Sequence, residues 1–230
     1  MKTAIMQPYF FPYIGYFQLI NAVDTFVLYD DVTYIKGGWI NRNRIYENGS
    51  SNYWTLPLEN ASSNRLIKDI EHIGDWNKLL KTIQQNYGRT WYADAVWNLI
   101  LLEVAGNQKI TTISKLNEYA IRKICKYLGI TTKIVLSSEL TGLKEGRVER
   151  LCSICEQTNA TTYINAIGGQ ILYNKEQFKE NGIDLLFLKT EKIEYKQKTD
   201  VFVPNLSILD VLMFNSKVAI GEMLNKYALV

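Results

Sequence analysis

The sequence predicts an α/β protein with a mostly parallel sheet, a helical insertion and helices at its C-terminal end. Three observations lead to that prediction. The first thirty residues show the order strand, loop, helix, strand, which is typical of a βαβ unit. The same alternation returns in the second half of the chain, and residues 76–128 between the two parts show helical periodicity. The 230 residues are 47% apolar and 21% charged, which suffices for a single domain over 1–230 in which the insertion could form a helical subdomain.

Short apolar runs bounded by turn residues predict the strands of the first half. They lie at Thr3–Met6, Thr25–Asp30, Asn52–Glu59 and Arg65–Ile73. The last two are expected to pair as a hairpin across residues 60–64. Pro12 suits the first turn of a helix, so the first helix is expected at Tyr13–Ala22.

Apolar residues at helical spacing predict three helices in the insertion. They are a helix capped by Asp75 and ended by Gly88, a helix over Trp91–Ala105, and a helix over Thr111–Leu128 that Gly129 stops. Strands and helices then alternate again, with elements expected at Lys133–Leu136, Gly146–Gln157, Thr162–Asn165, Asn174–Glu180, Ile183–Lys189, Ser207–Phe214 and Lys217–Tyr227.

The cysteines are expected to be core residues. Cys152 and Cys155 form a CxxC pair, a spacing also found in redox and zinc sites, but they continue an apolar helical face with Val148 and Leu151. The sequence holds no second CxxC and only one histidine, His72, so a four-ligand zinc site would need carboxylates as well. His72 lies on a predicted strand and is expected to be structural.

Composition and hydropathy exclude several classes of protein. A net charge of +3 is too small to indicate a nucleic-acid partner. No window reaches the roughly 18 apolar residues of a membrane span. Pro8 and Pro12 interrupt the apolar start, so neither a signal peptide nor an anchor is expected. We therefore expect a cytoplasmic protein.

The opening stretch MQPYFFPYIGYFQLI is aromatic and carries no charge. Strand 1 of an open α/β sheet delivers its following loop to the ligand crevice at the carboxyl ends of the strands. Gln7, Tyr9, Tyr13 and Tyr16 offer amide and phenol groups on flat side chains, and Gly15 leaves room for a ligand ring. The stretch is therefore interpreted as a platform for a nucleotide or a sugar; the alternative is an aromatic helix packed in the core.

Asp30 and Asp31 end the second predicted strand at the same edge of the sheet. One of them could act as a base, bind a sugar hydroxyl or hold Mg²⁺, and the alternative is a salt bridge or a loop cap. Ser137 and Ser138 follow a later strand and could donate to phosphate oxygens, with Arg147 among the nearby cations. Helix capping is the alternative for the serine pair.

The loop WINRNR gathers groups that suit a phosphorylated ligand. Trp39 offers an aromatic face for stacking, and the guanidinium groups of Arg42 and Arg44 offer paired hydrogen-bond donors. Asn41 can form hydrogen bonds with hydroxyl groups. A structural loop and a surface for single-stranded nucleic acid are the alternatives. Near the C-terminal end, Gln197 in EYKQ could also face a ligand, and the alternative is again structural.

Four motifs occur here in a familiar order: QPYFFPYIGYFQL, DDVTYIKGGWINRNRI, SSEL, and YKQ followed by PNLSILD. They resemble the WbqC-like protein family over nearly the whole chain. The resemblance implies a setting among genes for surface-polysaccharide assembly, in particular O-antigen and lipopolysaccharide biosynthesis, and for nucleotide-linked amino sugars.

A second resemblance concerns the fold. In HUP-type nucleotidyltransferases and pantoate–β-alanine ligases, strand 1 leads into an HxGH motif that handles ATP phosphates. The corresponding segment here is Tyr13 to Tyr16, with the glycine kept and both histidines replaced by tyrosine. Tyrosine does not supply the positive charge of imidazolium. The resemblance therefore implies either that nothing is adenylated or that Arg42 and Arg44 replace that charge.

Together these observations predict a Rossmann-like enzyme that joins a small carboxylic or amino acid, for example glycine, to the amine of a dTDP- or UDP-linked amino sugar. Gln7 would orient the carbonyl, Asp30 or Asp31 would take the amine proton, and Tyr9 with Trp39 would stack on the base or the sugar. If the acid is activated in the site, the reaction would require ATP with Mg²⁺. If the acyl donor arrives already activated, it would require neither. A non-catalytic nucleotide-sugar-binding partner and a nucleotidyl- or glycosyltransferase are the alternatives.

Overall fold

The structure is a computed structural model that describes residues 1–47 and 49–230. Its strands are β1 (Lys2–Met6), β2 (Thr25–Leu28), β3 (Arg42–Glu47), β4 (Ser50–Thr55), β5 (Lys133–Leu136), β6 (Thr162–Ala166), β7 (Asp184–Thr190) and β8 (Tyr227–Leu229). Its α-helices are α1 (Ile14–Asn21), α2 (Asn77–Tyr87), α3 (Ala93–Val96), α4 (Leu102–Ala105), α5 (Ile113–Leu128), α6 (Arg147–Gln157), α7 (Lys175–Lys179), α8 (Ile208–Phe214) and α9 (Lys217–Met223). A π-helical turn at Trp97–Leu101 joins α3 to α4.

Six of the strands form one sheet in the order β5-β2-β1-β6-β7-β8. The first five are parallel, and β8 pairs antiparallel with β7 at the edge. The predicted α/β class and mostly parallel sheet are confirmed. Since β1 has β2 on one side and β6 on the other, the chain reverses its direction across the sheet at β1, which is where ligands enter open sheets of this kind.

Helices cover both faces of the sheet, so its strands are apolar without alternation. In β2, Phe26 and Leu28 pack into the cluster that includes α1 and α5, and Val27 packs into the cluster formed with α6. Each of the three side chains is fully buried. The helical segment from α2 to α5 contributes side chains to the same cluster as α1.

Of the predicted hairpin of Asn52–Glu59 with Arg65–Ile73, the structure keeps only a single antiparallel bridge between Leu58 and His72. The structure pairs β3 with β4 instead, in register from Arg42 with Thr55 to Glu47 with Ser50. The sequence gives little sign that β3 is a strand, because most of RNRIYE is polar. Only Asn43 and Ile45 in this segment are buried. The segment Arg65–Ile73 holds a 3₁₀ turn at Ile67–Asp69 and single bridges on either side of it.

The last predicted helix, Lys217–Tyr227, ends early, at Met223. The chain then turns back so that β8 pairs with the free edge of β7. The backbone groups of that edge are satisfied only through a partner brought from a distant part of the sequence.

The cysteines are buried free thiols in the described structure, which confirms their interpretation as core residues. Burial raises the pKa of Cys125 and of Cys155 to about 12. The stop of α5 at Gly129 is also confirmed, because this glycine adopts a φ of +76°. Over the described ranges, no helix is long and apolar enough to cross a membrane.

Candidate functional site

The aromatic loop that follows β1 lies in the core. Phe10 and Phe11 are fully buried and meet edge to face, and Phe10 packs on Trp54 and Trp76 at ring-centre distances of 4.9 and 5.9 Å. The loop is thus the wedge that joins the β3–β4 hairpin and α2 to the sheet.

Three polar side chains satisfy the carbonyl groups of this loop, and we call them the carbonyl clamp. Asn117 donates to the carbonyls of Pro8 (2.8 Å) and Ile40 (2.7 Å), Asn43 to those of Phe10 (3.1 Å) and Phe11 (2.9 Å), and Ser207 to that of Phe11 (2.7 Å). Because the loop is buried, these bonds replace the water that its carbonyls would otherwise bind.

The residues expected to form the opening platform are fully buried or half-buried. Tyr16 is 1% exposed and its hydroxyl donates to the Gln7 carbonyl at 2.8 Å. Burial raises the pKa of Tyr16, Tyr9 and Tyr13. A Cβ on Gly15 would overlap the Tyr13 ring, so the space that this glycine leaves is filled by Tyr13 rather than open to a ligand. Gln7, Tyr9 and Tyr13 are half-buried.

The cationic loop after Asp31 has its own internal partners. The Arg42 guanidinium lies 4.1 Å from the centre of the Tyr53 ring, and its Nε donates to the Gly38 carbonyl at 3.1 Å. Asn41 accepts from the Tyr34 hydroxyl at 2.9 Å and donates to the Leu56 carbonyl at 2.8 Å. Both ends of the Asn41 amide are therefore occupied.

Trp39, in the loop before β3, lies beside Arg44 of β3. The Arg44 guanidinium carbon is 5.7 Å from the centre of the Trp39 ring, and Nη2 makes a long 3.5 Å contact with the Asn205 carbonyl. Arg44 Nε is buried without a hydrogen-bond partner among the described residues. Of the groups expected in this loop, Trp39 and Arg44 retain the most capacity to meet another molecule.

Asp30 and the serine pair meet where β2 and β5 end. Asp30 is 1% exposed. Its Oδ2 accepts from the hydroxyls of Ser114 (2.8 Å) and Ser138 (3.0 Å), and its Oδ1 accepts from the Ser138 amide (3.0 Å). The Ser137 hydroxyl is buried between Asp30 and Asp31. Asp30 therefore holds the ends of β2, β5 and α5 together.

Asp31 faces outward from this network and pairs with Arg150 in α6, with side chains that are 13% and 25% exposed respectively. The Arg150 guanidinium also lies 5.8 Å from the centre of the Tyr29 ring, and Arg147 lies 5.2 Å from the centre of the Tyr173 ring. These five residues, Tyr29, Asp31, Arg147, Arg150 and Tyr173, are called the edge cluster below.

Helix α6 begins within the edge cluster. It starts at Arg147 directly after Gly146, whose φ is +97°, and no described side chain caps it. The amide groups of its first turn carry a partial positive charge, which the Glu149 carboxylate in the same turn offsets. Burial raises the pKa of Tyr29, while Arg150 beside it acts in the opposite direction, so Tyr29 is a neutral hydrogen-bonding group at physiological pH.

Gln197 lies in a third, separate network around a buried carboxylate. Asp210 accepts from Gln197 Nε2 at 2.8 Å and from the hydroxyls of Tyr195 (2.6 Å) and Tyr87 (3.0 Å). Burial raises the pKa of Asp210. Gln197 is 6% exposed and also bonds to the backbone of Val203, which fits the structural alternative for this residue.

The acidic pair does not suit Mg²⁺ in this arrangement. The oxygens of Asp30 accept from three serine donors, and Asp31 is paired with an arginine, whereas Mg²⁺ needs free carboxylate oxygens. Within residues 1–47 and 49–230, no group of three or more histidine, cysteine or acidic side chains could hold a metal ion.

The structure thus divides the expected site residues among four places, the first of which is the loop after β1 and the start of α1, with Gln7, Tyr9, Tyr13, Gly15 and Tyr16. Asp30, Asp31, Ser137 and Ser138 meet at the strand ends. Arg42 and Arg44 lie on β3, Trp39 and Asn41 lie in the loop just before it, and Gln197 lies beside Asp210. Sequence reasoning missed Tyr29, Arg150 and Tyr173. The repeat of arginine at positions 147 and 150, one helical turn apart and after a strand-and-serine segment, was the signal that could have found Arg150.

Comparison with known proteins matches the sequence over nearly its whole length. The protein is 33% identical over 218 residues to the uncharacterized protein Rv1507c of Mycobacterium tuberculosis, and the match covers 93% of each chain. No solved structure matches. The sequence model of the WbqC-like protein family matches residues 7–222, which span the aromatic loop, the edge cluster and the carbonyl clamp. The chain therefore belongs to the WbqC-like protein family.

Proposed function

We propose that the protein binds a nucleotide-linked amino sugar at the edge cluster and forms an amide on the sugar amine during polysaccharide biosynthesis. Membership of the WbqC-like family suggests the association with polysaccharides. The substrate class and the reaction are our extension of it.

The observation that carries the proposal is the pair of arginines at the start of α6. Arg147 and Arg150 lie on one side of the helix, each against a tyrosine ring, at the carboxyl edge of a parallel sheet. The forked donors of arginine match the oxygens of a phosphate. Tyr29 and Tyr173 provide flat faces beside those charges, which suits a diphosphate attached to a ring.

The hairpin arginines are assigned a lesser role in this proposal. Arg42 bonds to the loop carbonyls of Gly37 and Gly38 and stacks on Tyr53, so its guanidinium already has internal partners. Trp39 with Arg44 and the half-buried Tyr9 could contact the distal part of a ligand. Tyr13 and Gly15 support α1, and Tyr16 supports the Gln7 backbone.

Asp31 is the carboxylate that suits a base, because Asp30 is enclosed by serines. The amine nitrogen would attack the carbonyl carbon of an acid activated as an acyl phosphate or a thioester. The new C–N bond forms, the bond to the phosphate or thiolate breaks with its electron pair, and the amine proton goes to Asp31. Arg150 would move from Asp31 toward the substrate phosphates, which frees the carboxylate. Gln7 follows β1 beside this edge, since the Tyr29 amide donates to the Met6 carbonyl at 2.7 Å, and would orient the donor carbonyl.

A non-catalytic nucleotide-sugar-binding role is the second candidate. One observation favours it: both carboxylates at the strand ends already have donors, Asp30 from serines and Asp31 from Arg150. In that case, the edge cluster binds the same ligand, and no amide forms.

A thermal-shift experiment with dTDP- and UDP-linked amino sugars tests the binding. A ligand at 100 times its Kd adds about 2.7 kcal/mol to the free energy of unfolding. We expect a shift for the native protein that Arg147→Ala removes and the exposed Lys126→Ala in α5 retains. Equal shifts for the two variants, or none with any nucleotide sugar, would contradict the proposed site.

A turnover assay separates the two candidates. The protein, a nucleotide-linked amino sugar and glycine activated as a thioester are incubated, and the amide is detected by mass; a parallel reaction uses free glycine with ATP and Mg²⁺. We expect Asp31→Asn to retain the thermal shift and to lower turnover. Binding without any product would support the non-catalytic role.

A further inference from the structure

A cavity of about 650 Å³ is lined by residues that belong neither to the edge cluster nor to the ends of β2 and β5. Its walls are the last turns of α2, residues 89–91, Lys198 and the end of α8. We call it the basic pocket. Its volume is in the range typical of small-molecule sites.

The basic pocket is lined by cations. Lys81, Arg89 and Lys198 face it, and a fourth cation, Lys196, lies 5.9 Å from the centre of the Trp91 ring. Over the described residues no aspartate or glutamate lines the cavity, and none of these four side chains is in an ion pair. In a protein whose net charge is only +3, this is a local excess of positive charge.

Two features of the fold do not account for that excess. The C-terminal end of α2 carries about half a negative charge, which one cation would balance; Lys198 already lies 3.4 Å from the Asn86 carbonyl there. The buried Asp210 takes its hydrogen bonds from neutral groups, namely Tyr87, Tyr195 and Gln197.

The remaining lining supplies recognition groups. Gln84, Gln85 and Asn86 bring side-chain amides, and Trp91 is 68% exposed, which is unusual for so large an apolar ring. An exposed indole beside several cations suits a ligand that has both a planar ring and negative charge.

We propose that the basic pocket is a second ligand site and that it binds a nucleoside polyphosphate. The base packs on Trp91, and the phosphates lie between Lys81, Arg89 and Lys198. The concave shape and the modest net charge favour a small ligand over a nucleic-acid strand. This inference does not depend on the edge cluster, because no residue is shared between the two sites.

Isothermal titration with ADP, UDP and inorganic pyrophosphate tests the inference. We expect Arg89→Glu to weaken the binding of all three by about ten- to a hundredfold, since it removes charge-assisted bonds and adds repulsion. Lys78→Glu is the matched control, because it makes the same change of charge on an exposed part of α2 outside the pocket. Trp91→Ala should weaken ADP and UDP by about tenfold and leave pyrophosphate unchanged.

The same titrations with Arg147→Ala distinguish this site from the edge cluster. The inference holds if that variant retains the binding that Arg89→Glu loses. It is overturned if Arg147→Ala abolishes all binding, if Arg89→Glu and Lys78→Glu behave alike, or if no probe binds at millimolar concentration. Tight binding of single-stranded RNA with a steep salt dependence, without binding of the nucleotides, would also overturn it.

Discussion

The loop after β1 and the edge cluster both lie at the carboxyl edge of the sheet, yet they differ in burial and in charge. The loop holds Phe10 and Phe11 at 0% exposure, and neutral side chains of the carbonyl clamp satisfy its carbonyls. In the edge cluster, Arg147 and Arg150 carry charge that reaches solvent. The more distinctive sequence motif lies in the first region, and the chemistry that suits an anion lies in the second.

An unusual motif can therefore reflect the demands of the core. A charge-free aromatic loop can be buried only if other parts of the chain satisfy its backbone. Asn43, Asn117 and Ser207 do this from three distant segments. A site for a ligand has the opposite requirement, since its donors must remain available.

The largest expected effect is at the centre of the loop. Phe10→Ala removes a ring that packs on Phe11, Trp54 and Trp76, and we expect the free energy of unfolding to fall by about 4 kcal/mol. Tyr53→Ala, at a ring that is 55% exposed, should cost less than about 1 kcal/mol. Urea unfolding measures both. A loss of similar size at the two positions would show that the loop is not the core wedge described here.

The next effect is expected in the carbonyl clamp. Asn43→Ala leaves two loop carbonyls and the Arg44 amide without their partner, which should cost about 3 kcal/mol. The control is Asn98→Ala, which removes one exposed bond to the Asp94 carbonyl and should cost less than about 0.5 kcal/mol. If Asn43→Ala unfolds at the same urea concentration as the native protein, the clamp does not stabilise the loop.

A smaller loss is expected in the edge cluster. Arg150→Ala leaves Asp31 with Ser137 but without its cation, and because the pair is only partly buried we expect a cost of about 1–2 kcal/mol. Arg150→Lys should recover part of that loss. The same urea series measures it, and a cost as large as that of Asn43→Ala would place Arg150 in the framework rather than in a site.

The smallest effect concerns pH. Burial raises the pKa of Asp210, which lies one turn after the clamp residue Ser207. Between its unfolded and folded pKa values the folded protein binds more protons, so the stability that this group contributes is complete below the unfolded pKa and is lost as pH rises through the folded pKa. Relative to Asp210→Asn, native stability should therefore decline as pH rises from about 4 toward neutrality.

Urea unfolding at a series of pH values measures that decline. The exposed Asp200→Asn is the control and should run parallel to the native protein. The opposite result, in which the native protein becomes more stable relative to Asp210→Asn as pH rises, would contradict this prediction. It would show that the folded environment favours the ionised carboxylate.

The local pattern of apolar and polar residues predicted the strands well where helices cover both faces of the sheet. The strands at 133–136 and 162–166 and the helices α5 and α6 were predicted within about two residues, because apolar runs and glycine stops report directly on burial and chain reversal. The meeting of Asp30 with the serine pair was also predictable, since parallel strands end at one edge.

Local residue patterns thus suffice to predict the α/β class and the parallel strands, and they put the acidic residues at the end of a strand. The packing of the whole chain sets which groups remain available to a ligand. It paired β3 with β4, filled the space at Gly15 with Tyr13, and placed Arg150 of α6 beside Asp31. Periodicity reports which side of an element is buried, whereas hydrogen-bond partners come from segments far apart in the chain, and their choice depends on how all the elements pack together.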